Sequence, residues 1–503
     1  MSSRFRQAVL SEKAAVACLF LAGSLLRLRQ YLTGRSLWAD EAMLALNIVE
    51  RDFMGFFRPL DYDQGAPIGF LLVEKFFNTI LGKNELVLRL FPLLAGLVSL
   101  WLFYLLLKRI MITSVGLLTG LTLFACNPRL VYYSSEVKQY ILDVAVTITL
   151  LLIAAPLFNS APRKRDFAWL AAAGMIAIWF SHPALFVLAG LGITYLIAFL
   201  LRRDFSSLWT VIGVGVLWLL NIAFLYFLIL ADLSRNAYMR EYWQGAFLPL
   251  PPWSDPGWFM RAIDENIGVQ FGIPYAALFV FALMLAGWVV LLLQNRDFGI
   301  AFACIFLVTL TASAFELYPV FERMILFLVP IGLVLLAKAV ESLYPGLQKS
   351  RFLSVSATVA LAGFLIYGPL VTAVQSFITP KYFEHVRPTM EHLRDSWKEG
   401  DALFISNGAL PAFRYYASFY GLEDVAYEFG RREDYLDPQN IASQLESFDG
   451  QSRTWVLLSH VYEKGDFNER EFILDYLNQI GERRREFRLP GTSVFLYLFD
   501  LKE

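Results

Sequence analysis

The sequence predicts a polytopic α-helical membrane protein of about eleven transmembrane helices, followed by a C-terminal extracytoplasmic α/β domain. Three observations carry that prediction. Of 503 residues, 57% are hydrophobic and 17% charged, against roughly 25% charged in an ordinary soluble chain. The apolar residues gather into blocks of about 15 to 25, long enough to cross a hydrocarbon core as helices. Past residue 375 that texture stops, and short buried-strand patterns alternate with amphipathic ones. A net charge of −1 leaves no basic stripe for nucleic acid and excludes that class of partner.

Taken in order, the spans fall at Ala14–Leu32, Leu86–Leu107, Thr113–Asn127, Val137–Phe158, Phe167–Phe180, Ala184–Leu201, Leu208–Leu230, Pro274–Leu293, Gly299–Phe315, Val320–Leu343 and Phe352–Val374. The third and fifth are short enough to be partial spans. Lys and Arg in short loops stay on the cytoplasmic side. The Arg4/Arg6/Lys13 head, Lys108-Arg109, Arg163-Lys164-Arg165, Arg202-Arg203, Arg296 and Lys349/Arg351 all fall on one side of this alternation. The N-terminus is therefore inside, the loops 33–85 and 231–272 outside, and an odd span count puts residues 376–503 outside. The chain reads as a multi-pass protein of the inner (plasma) membrane. Its basic head runs into the first span without a small-residue cleavage site, so that span is expected to remain as an anchor. Cys18, Cys126 and Cys304 lie in apolar runs, where cysteine behaves as a small hydrophobe.

Two domains follow: 1–375, with its outer loops 33–85 and 231–272, and 376–503. In the second, the segments 401–407, 454–460 and 493–500 read as buried strands. Helical patterns at Val386–Lys398, Asn440–Phe448 and Asn468–Ile480 alternate with them, giving a small α/β layer. The loop 231–272 is Pro-rich and aromatic, and long loops in compact proteins tend to be lids or binding surfaces.

The first outer loop holds Trp38, Asp40, Glu41, Asp61, Asp63 and Gln64 in a chain that is otherwise mostly hydrocarbon. Carboxylates beside a membrane are costly unless they face water, a partner or a substrate, so this cluster is a functional-site candidate. Several stretches, in this order along the chain, resemble one family: W-A-D-E, D-Q-G-A-P-I-G-F-L-L, R-L-F-P-L-L-A-G-L, N-P-R-L-V-Y-Y-S-S-E-V-K-Q-Y-I-L-D, S-H-P-A and Y-P-V-F-E-R-M-I-L-F-L-V-P. Residues 14–374 are similar to the GT-C membrane glycosyltransferases of family 39 type, the relatives of protein O-mannosyltransferases and of the lipid A aminoarabinose transferase. The resemblance implies an inverting transfer of a sugar from a polyprenyl phosphate carrier to a glycan, lipid or protein acceptor on the outer membrane face. It departs at Gln64-Gly65-Ala66-Pro67, where relatives carry His or Lys before Pro-Pro, which bears on acceptor or sugar identity. Two rival readings stay open: a lipid-linked sugar transporter or flippase, and a non-catalytic glycan assembly subunit.

The family's Asp-Glu pair falls on Asp40-Glu41, which makes Asp40 the expected base that takes the acceptor's proton, with Glu41 orienting acceptor or base. The bland alternative is that Asp40 caps a helix Glu41–Val49 and Glu41 complements its dipole. Asp61 and Asp63 form a D-x-D that suits a divalent metal or ordinary turn chemistry. The family mostly works without metal, so no cofactor is expected, and Asp63 and Gln64 are assigned to sugar hydroxyls. Arg323, Arg89 and Arg129 are the candidates for the lipid phosphate, whose charge grows as it leaves; snorkelling to headgroups of the membrane lipids is the alternative. Glu136, Lys138, Gln139, Tyr140 and Asp143 make a polar stripe entering the fourth span. Glu136, Gln139, Tyr140 and Asp143 are expected on one helix face and Lys138 on another. His182 is placed for proton transfer or phosphate contact, and Tyr242 and Trp243 for stacking on a sugar or lining the interfacial belt.

Overall fold

The computed structural model describes residues 3–158, 162–231, 237–344, 351–380, 382–430 and 437–502. Each of the eleven predicted spans coincides with helix. Among the described residues, eight helices are long and apolar enough to cross a membrane: Glu85–Ile110, Tyr140–Phe158, Ala184–Arg202, Phe205–Ile229, Pro274–Gln294, Arg296–Ala314, Glu322–Ser342 and Phe352–Ile378. The helix Ser114–Cys126 has 13 residues and Lys164–Phe180 has 17, too few to cross about 30 Å at 1.5 Å per residue without help from their flanks. The first helix, Ser3–Tyr31, is long enough but is interrupted by Arg27 and Arg29.

The chain divides into two compact units, and the division departs from a single boundary after residue 375. One unit comprises Met1–Thr33, Phe53–Phe77 and Arg89–Pro380; the other comprises Gly34–Asp52, Asn78–Leu88 and Lys381–Glu503. The reason is amphipathicity. The helix Ala39–Glu50 buries Leu44, Ala45 and Ile48, and the cover for that face is the helix Leu410–Tyr420 of the C-terminal region.

In the membrane unit the helix Val329–Ser342 is central, with every residue from Val329 to Glu341 buried. It packs along Ala277–Gln294, while Ala184–Arg202 packs along Arg296–Ala314. Both contacts are close because a glycine sits in each: a Cβ on Gly287 would collide with the Leu335 carbonyl, and one on Gly190 would lie 2.6 Å from the Ile305 amide nitrogen. Small residues that let backbones approach replace the hydrophobic effect as the driving force between helices in lipid. One end of the central helix is fixed by a buried ion pair, Lys338 Nζ to Glu341 Oε2 at 2.6 Å. Lys338 also donates to Gln294 Oε1 at 2.7 Å, and Glu341 accepts from the amides of Ile112 and Thr113 at 2.7 and 2.6 Å. With these remaining polar valences satisfied, the pair is tolerable in an apolar interior.

The second unit is built on strands β1 (Ala402–Ile405), β2 (Glu428–Phe429), β3 (Thr454–Leu458), β4 (Glu463–Lys464), β5 (Phe467–Asn468), β6 (Glu482–Phe487) and β7 (Phe495–Asp500). Five form one sheet in the order β2-β1-β3-β7-β6, and β4-β5 is a separate hairpin. β1 is parallel to β2 and β3; β7 is antiparallel to β3 and β6. Phe404, Val456, Leu458, Tyr497 and Phe499 make one core with Ile441, Leu445, Ile473 and Leu477 of the helices Pro438–Leu445 and Glu469–Ile480. The alternate residues Leu403, Ile405, Trp455, Leu457 and Leu496 are buried too, so both faces are covered, as the strands' continuous apolar runs require. The three predicted strands and three predicted helices are all present. The additional edge strand β6, ERRREF, keeps its side chains largely exposed; charge on an edge discourages further strand addition and also hides the strand from a hydrophobicity reading.

Candidate active site

The acidic first-loop segment is threaded into the second unit by a series of hydrogen bonds. The Ser36 hydroxyl meets His385 Nδ1 at 3.0 Å and accepts from the Arg387 amide at 3.0 Å. The Leu37 amide donates to the Tyr416 hydroxyl at 2.8 Å, and that hydroxyl donates to Glu85 Oε1 at 2.8 Å. The Ala39 amide donates to Glu384 Oε2 at 2.8 Å. Backbone polar groups that a loop would otherwise leave to water are thus paired inside the unit.

This strap sets the start of the helix Ala39–Glu50. Trp38, not Asp40, is its N-cap residue, and no side chain caps it. The capping explanation for Asp40 is therefore a correction: Asp40 lies one residue inside the first turn, with Glu41 beside it, where carboxylates complement the helix dipole. Glu41 is fully buried and pairs with Arg35 at 3.9 Å, whereas Asp40 keeps partial access to solvent. His460 Nδ1 donates to Glu384 Oε1 at 2.9 Å, and its ring centre lies 6.1 Å from that of Trp38. Burial opposes charge on His460, but the hydrogen bond and charge of Glu384, with Asp40 and Glu469, outweigh it and raise its pKa. Burial pushes Glu469 up to about 7.

The membrane unit holds a second cluster. The turn Asp61–Asp63 is a single 3₁₀ turn in which Tyr62 and Asp63 have φ of 61° and 50°, a left-handed conformation that costs on the order of 1 kcal/mol or more for each side chain. Asp61 is exposed, while Asp63 and Gln64 are half-buried. Lys138 Nζ donates to Gln64 Oε1 at 2.6 Å, and Gln139 Nε2 donates to the Gly65 carbonyl at 3.4 Å. A cavity of about 100 Å³ is lined by Arg58, Asp63, Gln64 and His182 on its polar side and by Phe56 and Ile229 among its apolar residues. Burial pulls the His182 imidazole down to about 4, so it is neutral at neutral pH and can accept or donate one hydrogen bond there.

Arg323 lies in the 3₁₀ segment Glu322–Leu328, with its guanidinium carbon 5.8 Å from the ring centres of both Tyr140 and Trp243. Tyr242 packs edge-on to Trp243 at 5.1 Å but is 60% exposed. Burial, then the charge of Glu136, raises the Tyr133 pKa against the opposing charges of Arg323 and Arg129. The predicted helical stripe needs correcting. The helix of the fourth predicted span begins at Tyr140, and Glu136 to Lys138 form a bend before it. Glu136 therefore does not share a helix face with Tyr140 and Asp143, and the bend is what lets Lys138 reach Gln64. Arg89 is 1% exposed and caps the start of Leu90–Ile110. Among the described residues, no three His, Cys, Asp or Glu side chains converge to hold a metal ion.

Four groups lay outside the sequence reading. Arg35 stands three residues before the W-A-D-E stretch and Glu384 in a polar stretch with no motif around it. His460 and Glu469 follow β3 and begin a helix, and the end of a parallel strand is a position that could have been searched.

The comparisons bear on this architecture directly. A family profile described as Dolichyl-phosphate-mannose-protein mannosyltransferase matches residues 65–229, a stretch that contains Lys138 and His182. No curated protein sequence matches the chain. Among solved structures, the chain is similar to ArnT from Cupriavidus metallidurans in the apo state, with 13% identity, TM-score 0.53, and coverage of 99% of this chain and 98% of that one. The same protein bound to undecaprenyl phosphate aligns with 12% identity, TM-score 0.54, and 98% coverage of both chains. The oligosaccharyltransferase AglB from Archaeoglobus fulgidus, in complex with an inhibitory peptide and a dolichol-phosphate, aligns with 11% identity and TM-score 0.50, covering 88% of this chain and 69% of that one. The chain is a multi-pass membrane protein with the GT-C glycosyltransferase fold. Its likeness to ArnT extends over both units, including the C-terminal sheet.

Proposed function

We propose that the protein is a GT-C glycosyltransferase that moves a sugar from a polyprenyl phosphate carrier to a hydroxyl acceptor, on the extracytoplasmic face. The observation that carries this reading is the placement of Asp40. A partly accessible carboxylate, Asp40, stands in a helix first turn beside a buried ion pair, and cations stand in the membrane unit against an amide and aromatic faces. The matched solved structures bound to undecaprenyl phosphate and dolichol-phosphate support the donor class.

Asp40 is the base. As the acceptor oxygen attacks the anomeric carbon, its O–H bond breaks and the proton passes to Asp40, while the phosphate leaves with the electrons of the glycosidic C–O bond. One displacement inverts the anomeric centre. Glu41, locked by Arg35, keeps the first turn rigid. Arg323 and Lys138 stabilise the charge growing on the departing phosphate, an interaction strengthened by a water-poor setting; Arg129 and Glu136 bias the same region, and Arg89 is a structural cation. Asp63, Gln64 and His182 line the cavity where sugar hydroxyls are recognised, Tyr140, Tyr242 and Trp243 offer aromatic faces, and Asp61 is a turn residue. The reaction needs no metal on this reading.

The test is transfer from a radiolabelled mixture of polyprenyl phosphate sugars in reconstituted vesicles, comparing wild type and Asp40→Asn with and without chelator. The expected result is transfer by the wild type, unaffected by chelator, and its loss in the variant. Undiminished transfer by Asp40→Asn removes the base from its role. Absence of transfer by the wild type from every donor favours the transporter reading.

A further inference from the structure

The parallel part of the second unit's sheet has the order β2-β1-β3, so the chain leaves β1 toward one side and returns on the other. In open α/β sheets the crevice outside the carboxyl ends of the strands, where the order reverses, is where ligands and functional groups collect. Those ends here are Ile405 of β1 and Leu458 of β3, and the loop leaving β3 opens with Ser459-His460.

His460 is held there with φ 50°, a left-handed conformation uncommon for a residue with a side chain. The loop leaving β1 packs close against it: a Cβ on Gly408 would lie 2.5 Å from the Ser459 carbonyl oxygen and 2.6 Å from that of His460. The strained turn aims the imidazole at one carboxylate. Glu384, with a side chain only 5% exposed, engages His460 Nδ1 through one oxygen and the Ala39 amide through the other. A single buried side chain therefore joins the imidazole to the first turn that carries Asp40.

We infer that Glu384 and His460 are positioning residues for Asp40: Glu384 anchors the first turn of the Asp40 helix, and His460 stands beside that carboxylate as its cationic neighbour. This rests on the reading of Asp40 as the base. His460 takes no part in bond making or breaking; the acceptor's proton goes to Asp40. The charged and titratable groups around the imidazole are Glu384, Asp40 of the 39–50 helix and Glu469 at the start of the 469–480 helix, with the Tyr462 ring 5.5 Å away. Glu384 and Asp40, joined by Glu469 once it is ionised, favour the imidazolium, and an imidazolium beside Asp40 keeps that base ionised to lower pH.

The test uses the full-length protein in vesicles, with the rate of sugar transfer measured against pH for wild type, Asp40→Asn, His460→Asn, Glu384→Gln and the double variant Asp40→Asn/His460→Asn. Asparagine tolerates the left-handed backbone at 460, and glutamine keeps an oxygen for the Ala39 amide, so two independent variants guard against misfolding. The expected result is that His460→Asn moves the acid limb of the profile upward by about one pH unit and lowers transfer about tenfold at the acid end. Glu384→Gln should move it less, in the same direction. Added to Asp40→Asn, the His460 change should cost nothing further. Unchanged acid limbs in both single variants, or full additivity in the double variant, overturn the inference while leaving Asp40 as the base. Wild-type transfer by Asp40→Asn overturns the base assignment itself.

Discussion

The two polar clusters of this molecule hold their charged side chains through different kinds of contact. In the second unit, carboxylates are held by cations and amides: Glu41 by Arg35, Glu384 by the Ala39 amide and His460. In the membrane unit, Lys138 donates to the Gln64 side-chain oxygen and Arg323 lies over the rings of Tyr140 and Trp243. A carboxylate kept ionised by nearby positive charge is suited to receiving a proton. An amide or π contact orients a cation without itself cancelling charge. The difference teaches that each unit fixes its charged side chains in its own way, by buried hydrogen bonds to carboxylates in one and by amide and aromatic contacts to cations in the other.

The contrast can be broken at its strongest point. Asp40→Asn should lower the transfer rate by roughly 10²–10⁴-fold without changing donor affinity, read as kcat against KM in vesicles. Next, Arg323→Ala should lower transfer by about 10²-fold, with Arg323→Lys recovering only part, since a point charge loses the planar stacking on two rings; a fully active Arg323→Ala would end the comparison on the membrane side. Lys338→Ala leaves the buried Glu341 carboxylate without its cation. It should destabilise the membrane unit by about 3–5 kcal/mol, read as a fall in Tm in detergent, and provides a purely structural reference for the charge variants.

The mildest test concerns pH. Glu469 titrates at about 7 rather than its ordinary 4.5, so the folded state binds its proton more tightly than the unfolded one. That acid costs nothing below its ordinary value, and stability falls as pH rises from about 4.5 to 7 and stays reduced above. Glu469→Gln, which can keep the bond from the Tyr462 amide, should remove this slope and raise stability above pH 7 by about 2–3 kcal/mol. Equal pH slopes in thermal melts of variant and wild type would show that the buried carboxyl is not the source.

Much of this was legible without coordinates. The eleven spans, the strands at 402–405, 454–458 and 495–500, and the helix bearing Asp40 follow from periodicity and hydropathy, which are local properties of the chain. The Asp-Glu pair and the D-x-D stood out because polar residues are conspicuous next to long apolar runs. The helix Leu410–Tyr420, rich in aromatic residues and free of a clean polar face, gave no comparable signal. A smooth 3.6-residue period would put Glu136 on the helix face of Tyr140 and Asp143, but the backbone bond from the Lys138 amide to the Glu136 carbonyl makes a bend there that breaks the period.

Sequence by itself determined that this chain must enter a membrane, since no other solvent accommodates so many long apolar helices, and that its tail must fold as an α/β layer. Only the tertiary structure decided that residues 34–52 belong with that tail, 330 and more positions away in the chain. It alone brought Glu384 and His460 to the helix of Asp40, and Lys138 to Gln64. The physical reason is range: hydropathy and periodicity are written over ten or twenty neighbouring residues, whereas a hydrogen bond between two buried side chains is fixed by the packing of every element that carries them.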